Sequence, residues 1–291
     1  MARQLTWLPP DGAGLVLTDR AAGYRVLAAG TRGLSAPPYR LSTEQYAGVA
    51  GTRLQALEAD QREISLGVKV EASSPAEFRA RWRALVHAFR PRAGDGQLVV
   101  ADEVGVRRLI TCRYTGGLEG AAVDEFTGVA GRAIVKLAAF DPWFYGEPVS
   151  IDFGLAAPSV FLSAALPFPR MLSASTIQGQ RDIDLAAADV ESYPLWTITG
   201  PGSSLTLTND STGRTIQVDA AIADGQTVVI DTRPGHQSVR RGDGTNLMGA
   251  LSSDPSLWPL VERVNRVTAV LGAAGQGSRI RATFSPRYSG V

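Results

Sequence analysis

Cysteine is almost missing from this chain, with Cys112 the only one among 291 residues. A single thiol excludes an intramolecular disulfide and any multi-cysteine zinc site. Cys112 falls in the strand-like run Arg108 to Tyr114, where a buried, inert thiol is expected rather than a nucleophile. Histidine is nearly as scarce. His87 and His236 are the only two, neither belongs to a recognisable catalytic constellation, and no Gly-x-Ser-x-Gly elbow is present. Lysine is rare too, since Lys69 and Lys136 are the only lysines among 29 basic residues. No apolar run approaches the roughly 18 residues of a membrane-spanning helix, which argues against membrane insertion. Charge of one sign is also lacking: 29 basic residues against 28 acidic leave a net +1. That balance excludes the concentrated basic footprint of a nucleic-acid reader. The opening residues, Met1 to Trp7, lack the basic-then-apolar pattern of a secretory signal, so no export route is expected.

The composition is that of a globular protein, with 44% hydrophobic and 20% charged residues. The length predicts two domains, each able to bury its own core. One helix is legible in the first half. Ser74, Pro75 and Glu77 supply an N-cap, a proline at the first helical position and a reciprocal carboxylate, and the helix is expected over 75–90. Phe78, Trp82, Leu85, Val86 and Phe89 form its apolar stripe, with Arg79, Arg81 and Arg83 on the solvent side. Strands surround it. Ile64, Leu66, Val68 and Val70 alternate with polar residues or glycine. Further strand-like runs are Gln4 to Leu8, Gly14 to Thr18, Tyr24 to Ala29, Gln97 to Ala101, Val106 to Tyr114 and Arg132 to Phe140.

The second half shows no helical stripe. Its strand-like runs recur every 8 to 14 residues or so, the spacing of a β-sandwich. They are Val149 to Phe153, Val160 to Ala164, Asp182 to Ala186, Leu195 to Thr199, Ser204 to Asn209, Thr215 to Asp219, Thr227 to Asp231, Val264 to Leu271 and Ser278 to Ser285. Candidate chemistry is thin. Asp182 and Asp184 share a strand face at i and i+2, where two carboxylates without further oxygen ligands read as solvated charges. Asn209, Asp210 and Ser211 match a glycosylation sequon, which has meaning only in a secreted eukaryotic protein. Trp196 and Trp258 are the candidates for a glycan-stacking platform, with core filling as the ordinary alternative. No catalytic, cofactor or metal site is expected.

Between the halves lies the densest aromatic cluster: Phe140, Asp141, Pro142, Trp143, Phe144, Tyr145 and Gly146. Pro142 ends the preceding strand, because it brings no N–H to a ladder and biases Asp141 towards an extended conformation. The order of features resembles the siphophage distal tail protein family. An alternating strand, a capped helix, two strands, a glycine-rich region at Gly116, Gly117 and Gly120, and a strand ending in the Asp-Pro-aromatic segment look like that family's N-terminal half. Tyr193 to Gly200, Ser203 to Asn209, Thr227 to Thr232, Leu257 to Leu260 and a strand ending near Arg287 and Tyr288 resemble its second half.

The resemblance implies a mainly β fold. A ring-forming antiparallel β domain, 1–146, split-barrel or tail-tube-like with one packed helix, precedes a galectin-like or carbohydrate-module-like sandwich, 147–291. It further implies a non-enzymatic virion protein at the distal end of a phage tail, made in the bacterial cytoplasm. Six copies would form a ring joining the tail tube to the baseplate or host-recognition device and letting DNA pass. Its partners would be other copies of itself, the tube protein, the tail-associated hub protein, and the tape-measure and receptor-binding proteins. The alternative is an adhesin module that binds host cell-wall glycans.

Overall fold

The computed structural model describes residues 3–119, 128–154, 176–252 and 256–291. It is mainly β and antiparallel, and it divides into two compact units, Met1–Gly146 with Tyr288–Val291, and Glu147–Arg287. Residues 288–291, expected with the second half, thus pack in the first unit. The expected strand at 160–164 lies outside the described residues.

The first unit runs β1 (Gln4–Leu8), β2 (Leu15–Val16), β3 (Tyr24–Arg32), β4 (Tyr39–Glu44), β5 (Arg53–Ala59), β6 (Arg62–Glu71), α1 (Pro75–Ala88), β7 (Gly96–Ala101), β8 (Arg107–Gly116), β9 (Ala130–Ala139) and β10 (Phe144–Tyr145). Most of these form one sheet in the order β2-β1-β7-β8-β9-β6-β3, with β10 added against β8. Among the described residues this sheet stays open, and no barrel closes. Strand β6, second from one edge, carries much of the core: Ile64, Leu66, Val68 and Val70 are each at 0% exposure, so period two puts four β-branched or leucine side chains on one face. Each contributes about 1.5–3 kcal/mol of burial.

Helix α1 covers that face. Ser74 caps it, its Oγ accepting from the Glu77 amide at 3.3 Å. The Glu77 carboxylate reaches back one residue further than a capping box requires, accepting from the Ser73 amide and hydroxyl at 2.9 and 2.6 Å. Phe78, Leu85 and Phe89 are buried, while Val86 is 41% exposed. The expected stripe was therefore one residue too wide: Val86 follows Leu85 and lies about 100° around the helix from it, outside the Phe78–Trp82–Leu85–Phe89 line. Trp7 of β1 stacks on Phe89 at 4.7 Å between centroids and donates its indole N–H to the Ala88 carbonyl at 2.7 Å.

The second unit runs β11 (Val149–Gly154), β12 (Thr176–Asp184), β13 (Leu195–Thr199), β14 (Ser203–Asn209), β15 (Arg214–Val218), β16 (Thr227–Asp231), β17 (Ser238–Arg241), β18 (Val264–Gly272), β19 (Arg279–Phe284) and the start of β20 (Arg287–Tyr288). Two sheets, β11-β19-β13-β16-β17 and β12-β18-β14-β15, contribute alternate side chains to one core. This is a β-sandwich. Strand β12 begins six residues before the expected Asp182. Its polar run Gln178 to Asp182 hides the strand because only Ile177 and Ile183 turn fully inward.

Strands β4, β5 and β17 are elements that the periodic reading did not anticipate, and β4 and β5 stand apart from the other sheets. These two pair only with each other, as a separate two-stranded ribbon.

Candidate functional site

The aromatic segment at the end of the first unit is a tight reversal. Asp141 organises it, accepting from the Trp143 amide at 3.3 Å and from the Tyr145 hydroxyl. Such an Asx turn suits the residue before a proline. It swings β10 back against β8, with Tyr145 opposite Leu109. Of the four aromatic rings only Phe144 is fully buried, and Phe140 is 62% exposed.

Phe144 is held by Arg62, the first residue of β6. The Arg62 guanidinium lies 5.0 Å from the centre of the Phe144 ring, although Arg62 itself is only 1% exposed. It bonds to carbonyls rather than to a carboxylate: Nη1 donates to Gly33 and Ser35 at 3.2 and 3.1 Å, and Nη2 to Ser289 at 2.5 Å. Burial lowers its pKa from the ordinary arginine value, with Cys112 and Tyr39 working the other way. A second arginine acts alike. Arg108 donates to the Gly290 carbonyl at 2.5 Å and lies 3.8 Å from the Tyr288 ring centre. The Val291 amide closes the set on the Leu34 carbonyl at 3.1 Å. Residues 33–35, which lead into β4, and residues 288–291 are thus fastened together inside the first unit.

From that fastened base the β4–β5 ribbon emerges. Cross-strand pairing places Tyr39 opposite Ala59, Leu41 opposite Leu57 and Thr43 opposite Leu54, all on one face. The other face is polar, with Arg40 and Glu58 paired at 3.1 Å. Among the described residues nothing covers the apolar face: Tyr39, Leu41, Leu54 and Leu57 are 49%, 62%, 54% and 56% exposed. Tyr46 and Val49, in the connecting loop, are 48% and 64% exposed.

The residues singled out for chemistry occupy other roles. Trp196 and Trp258 are both at 0% exposure and pack edge to face at 5.6 Å in the core of the sandwich. Their faces are covered by protein, so the glycan-stacking assignment is corrected: the two rings fill the core. Asn209 of the sequon is also fully buried. Its amide nitrogen donates to Asn265 Oδ1 at 3.1 Å, and Asn265 in turn bonds the Val261 and Arg263 main chain at 2.8–2.9 Å. Asp182 pairs with Arg266 at 3.0 Å, while Asp184 accepts from the Ala186 amide at 2.9 Å. Burial pushes the Cys112 thiol up to about 12, and His87 Nε2 lies 3.1 Å from Arg90. Among the described residues no group of three His, Cys, Asp or Glu is placed to hold a metal ion.

The chain is therefore a two-unit β protein whose conspicuous exposed feature is an apolar ribbon. Residues 187–288 match the family described as siphovirus-type tail component, C-terminal domain. All but the last residue of that match lies in the second unit, and the chain resembles the siphophage distal tail proteins as its sequence order implied. A crystal structure of the phage SPP1 Dit protein, described as a paradigm of hub adsorption apparatus in Gram-positive infecting phages, shares the fold. Its TM-score is 0.64 at 18% identity, with 99% of this chain and 100% of that one covered. The phage P2 baseplate in its activated conformation with Ca gives a TM-score of 0.49 at 11% identity over 97% and 98% of the two chains. Curated protein sequences give no significant match.

Proposed function

We propose that this protein is a structural, non-catalytic component of the tail tip of a siphovirus-type phage. Six copies form a ring that joins the distal end of the tail tube to the baseplate or host-recognition device. The ring leaves a passage for DNA. The observation that carries this reading is the match of residues 187–288 to a siphovirus tail-component domain, on a chain whose length follows the SPP1 Dit fold almost end to end. The near-neutral balance of 29 basic and 28 acidic residues suits a conduit along which DNA slides without being held. Its partners in this reading are its own copies, the tube protein and the tail-associated hub protein, with the tape-measure and receptor-binding proteins as neighbours. Function then lies in symmetric association.

Negative-stain microscopy and native mass spectrometry of the purified chain test the ring. Annular particles with a hexamer mass are expected. A protein that stays monomeric at high concentration, alone and together with its tube protein, overturns the reading.

A further inference from the structure

We propose that the apolar face of the β4–β5 ribbon is a subunit contact, seated in a groove on the first unit of a second copy of this chain. The inference rests on the ring assembly proposed above and names the surfaces that would make it. A two-stranded ribbon is marginally stable alone in water. This one has both faces exposed, and a contiguous uncovered apolar face marks an interaction site. Stable interfaces bury about 800 Å² per partner, and six large apolar side chains between Tyr39 and Leu57, at 48–64% exposure, supply a large part of that.

The receiving surface is in the same sequence. An open groove of about 420 Å³ on the first unit is lined by Leu27, Trp82, Leu118 and Ile134. Ile134 there is 48% exposed. No residue of the ribbon lines this groove, so a ribbon that fills it comes from another copy. Charge does not oppose the pairing: Arg132 and Lys136 stand on the groove wall, while the ribbon's charges sit opposite one another on its polar face, Arg40 across from Glu58 and Glu44 across from Arg53. Ribbon and groove are different surfaces, so the contact is head-to-tail, the kind that closes into a ring when the rotation between copies permits.

The test uses full-length protein. A Leu57→Cys chain is mixed with an Ile134→Cys chain under mild oxidation, with each chain alone as a control, since the wild-type Cys112 is buried. A cross-linked dimer forming only in the mixture is expected. Leu41→Asp with Leu57→Asp is expected to cut the assembled fraction at least tenfold while leaving the melting temperature unchanged, because both side chains are exposed. If that variant melts lower, the cross-link decides. Wild-type rings that survive the double substitution and give no mixed cross-link would refute the ribbon contact and leave the ring standing, the ribbon then being free for another tail protein. Absence of rings in the wild type removes both.

Discussion

Arg62 carries a buried positive charge against carbonyl dipoles and one aromatic face, and that arrangement makes its substitution costly. Arg62→Ala strips donors from Gly33, Ser35 and Ser289 together and leaves a cavity under Phe144, so a loss of about 3 kcal/mol or more is expected by urea denaturation. Arg62→Lys recovers only part of it, because an ammonium lacks the planar fork that reaches several carbonyls at once. Hydrogen exchange should rise at 33–35 and 288–291 in both variants. Asp231 offers a pH-dependent counterpart. Burial raises its pKa, but the bonds from the Arg233 side chain and amide outweigh that and hold it below the ordinary value of 3.8. A depressed carboxylate contributes stability that is full above its unfolded pKa and is lost as pH falls through the folded one. The penalty of Asp231→Asn, measured by thermal melts near neutral pH, should therefore shrink as the pH falls below the ordinary value of 3.8.

Elements that turn one face inward are the ones that periodicity revealed. The α1 cap is an example, and Ser74→Ala should cost about 1 kcal/mol in chemical denaturation, since one orphan amide loses its acceptor. Val86→Glu, by contrast, should leave the melting temperature within a degree or so, as expected for a surface change away from any buried feature. The β4–β5 ribbon escaped the periodic reading for a physical reason. Leu54 and Leu57 stand three apart, which breaks period two, and only the register shift between Ser42 and Thr43 brings both onto the face of Leu41. Without burial to enforce it, such a pattern resembles loop. Pro37 and Pro38 before it strengthen that impression.

At the scale of the whole molecule, each unit has its own core. A fragment spanning 147–287 is expected to unfold cooperatively by itself, a result that circular dichroism melts would check. The first unit differs, because its structure includes Tyr288–Val291. A chain lacking 288–291 loses the Ser289 and Gly290 acceptors of two arginines and the Tyr288 ring under Arg108. Its first unit should lose about 2 kcal/mol or more, with the second unit's transition unmoved. Equal loss in both transitions would contradict the division.

The sequence by itself determined the mainly β fold, the single capped helix, most strands and the resemblance to phage tail components. These follow from local pattern: a side chain's burial in a regular element is written in its spacing, and a cap in a few adjacent residues. Only the tertiary structure decided what distant residues do together. Trp196 and Trp258, 62 positions apart in the numbering, look like a platform until packing closes over both rings. Arg62 looks like an ordinary strand charge until residues 33–35 and 289, far from it along the chain, converge on its guanidinium. The exposed ribbon belongs with these, since whether an apolar side chain is covered depends on the rest of the fold and not on its neighbours in sequence.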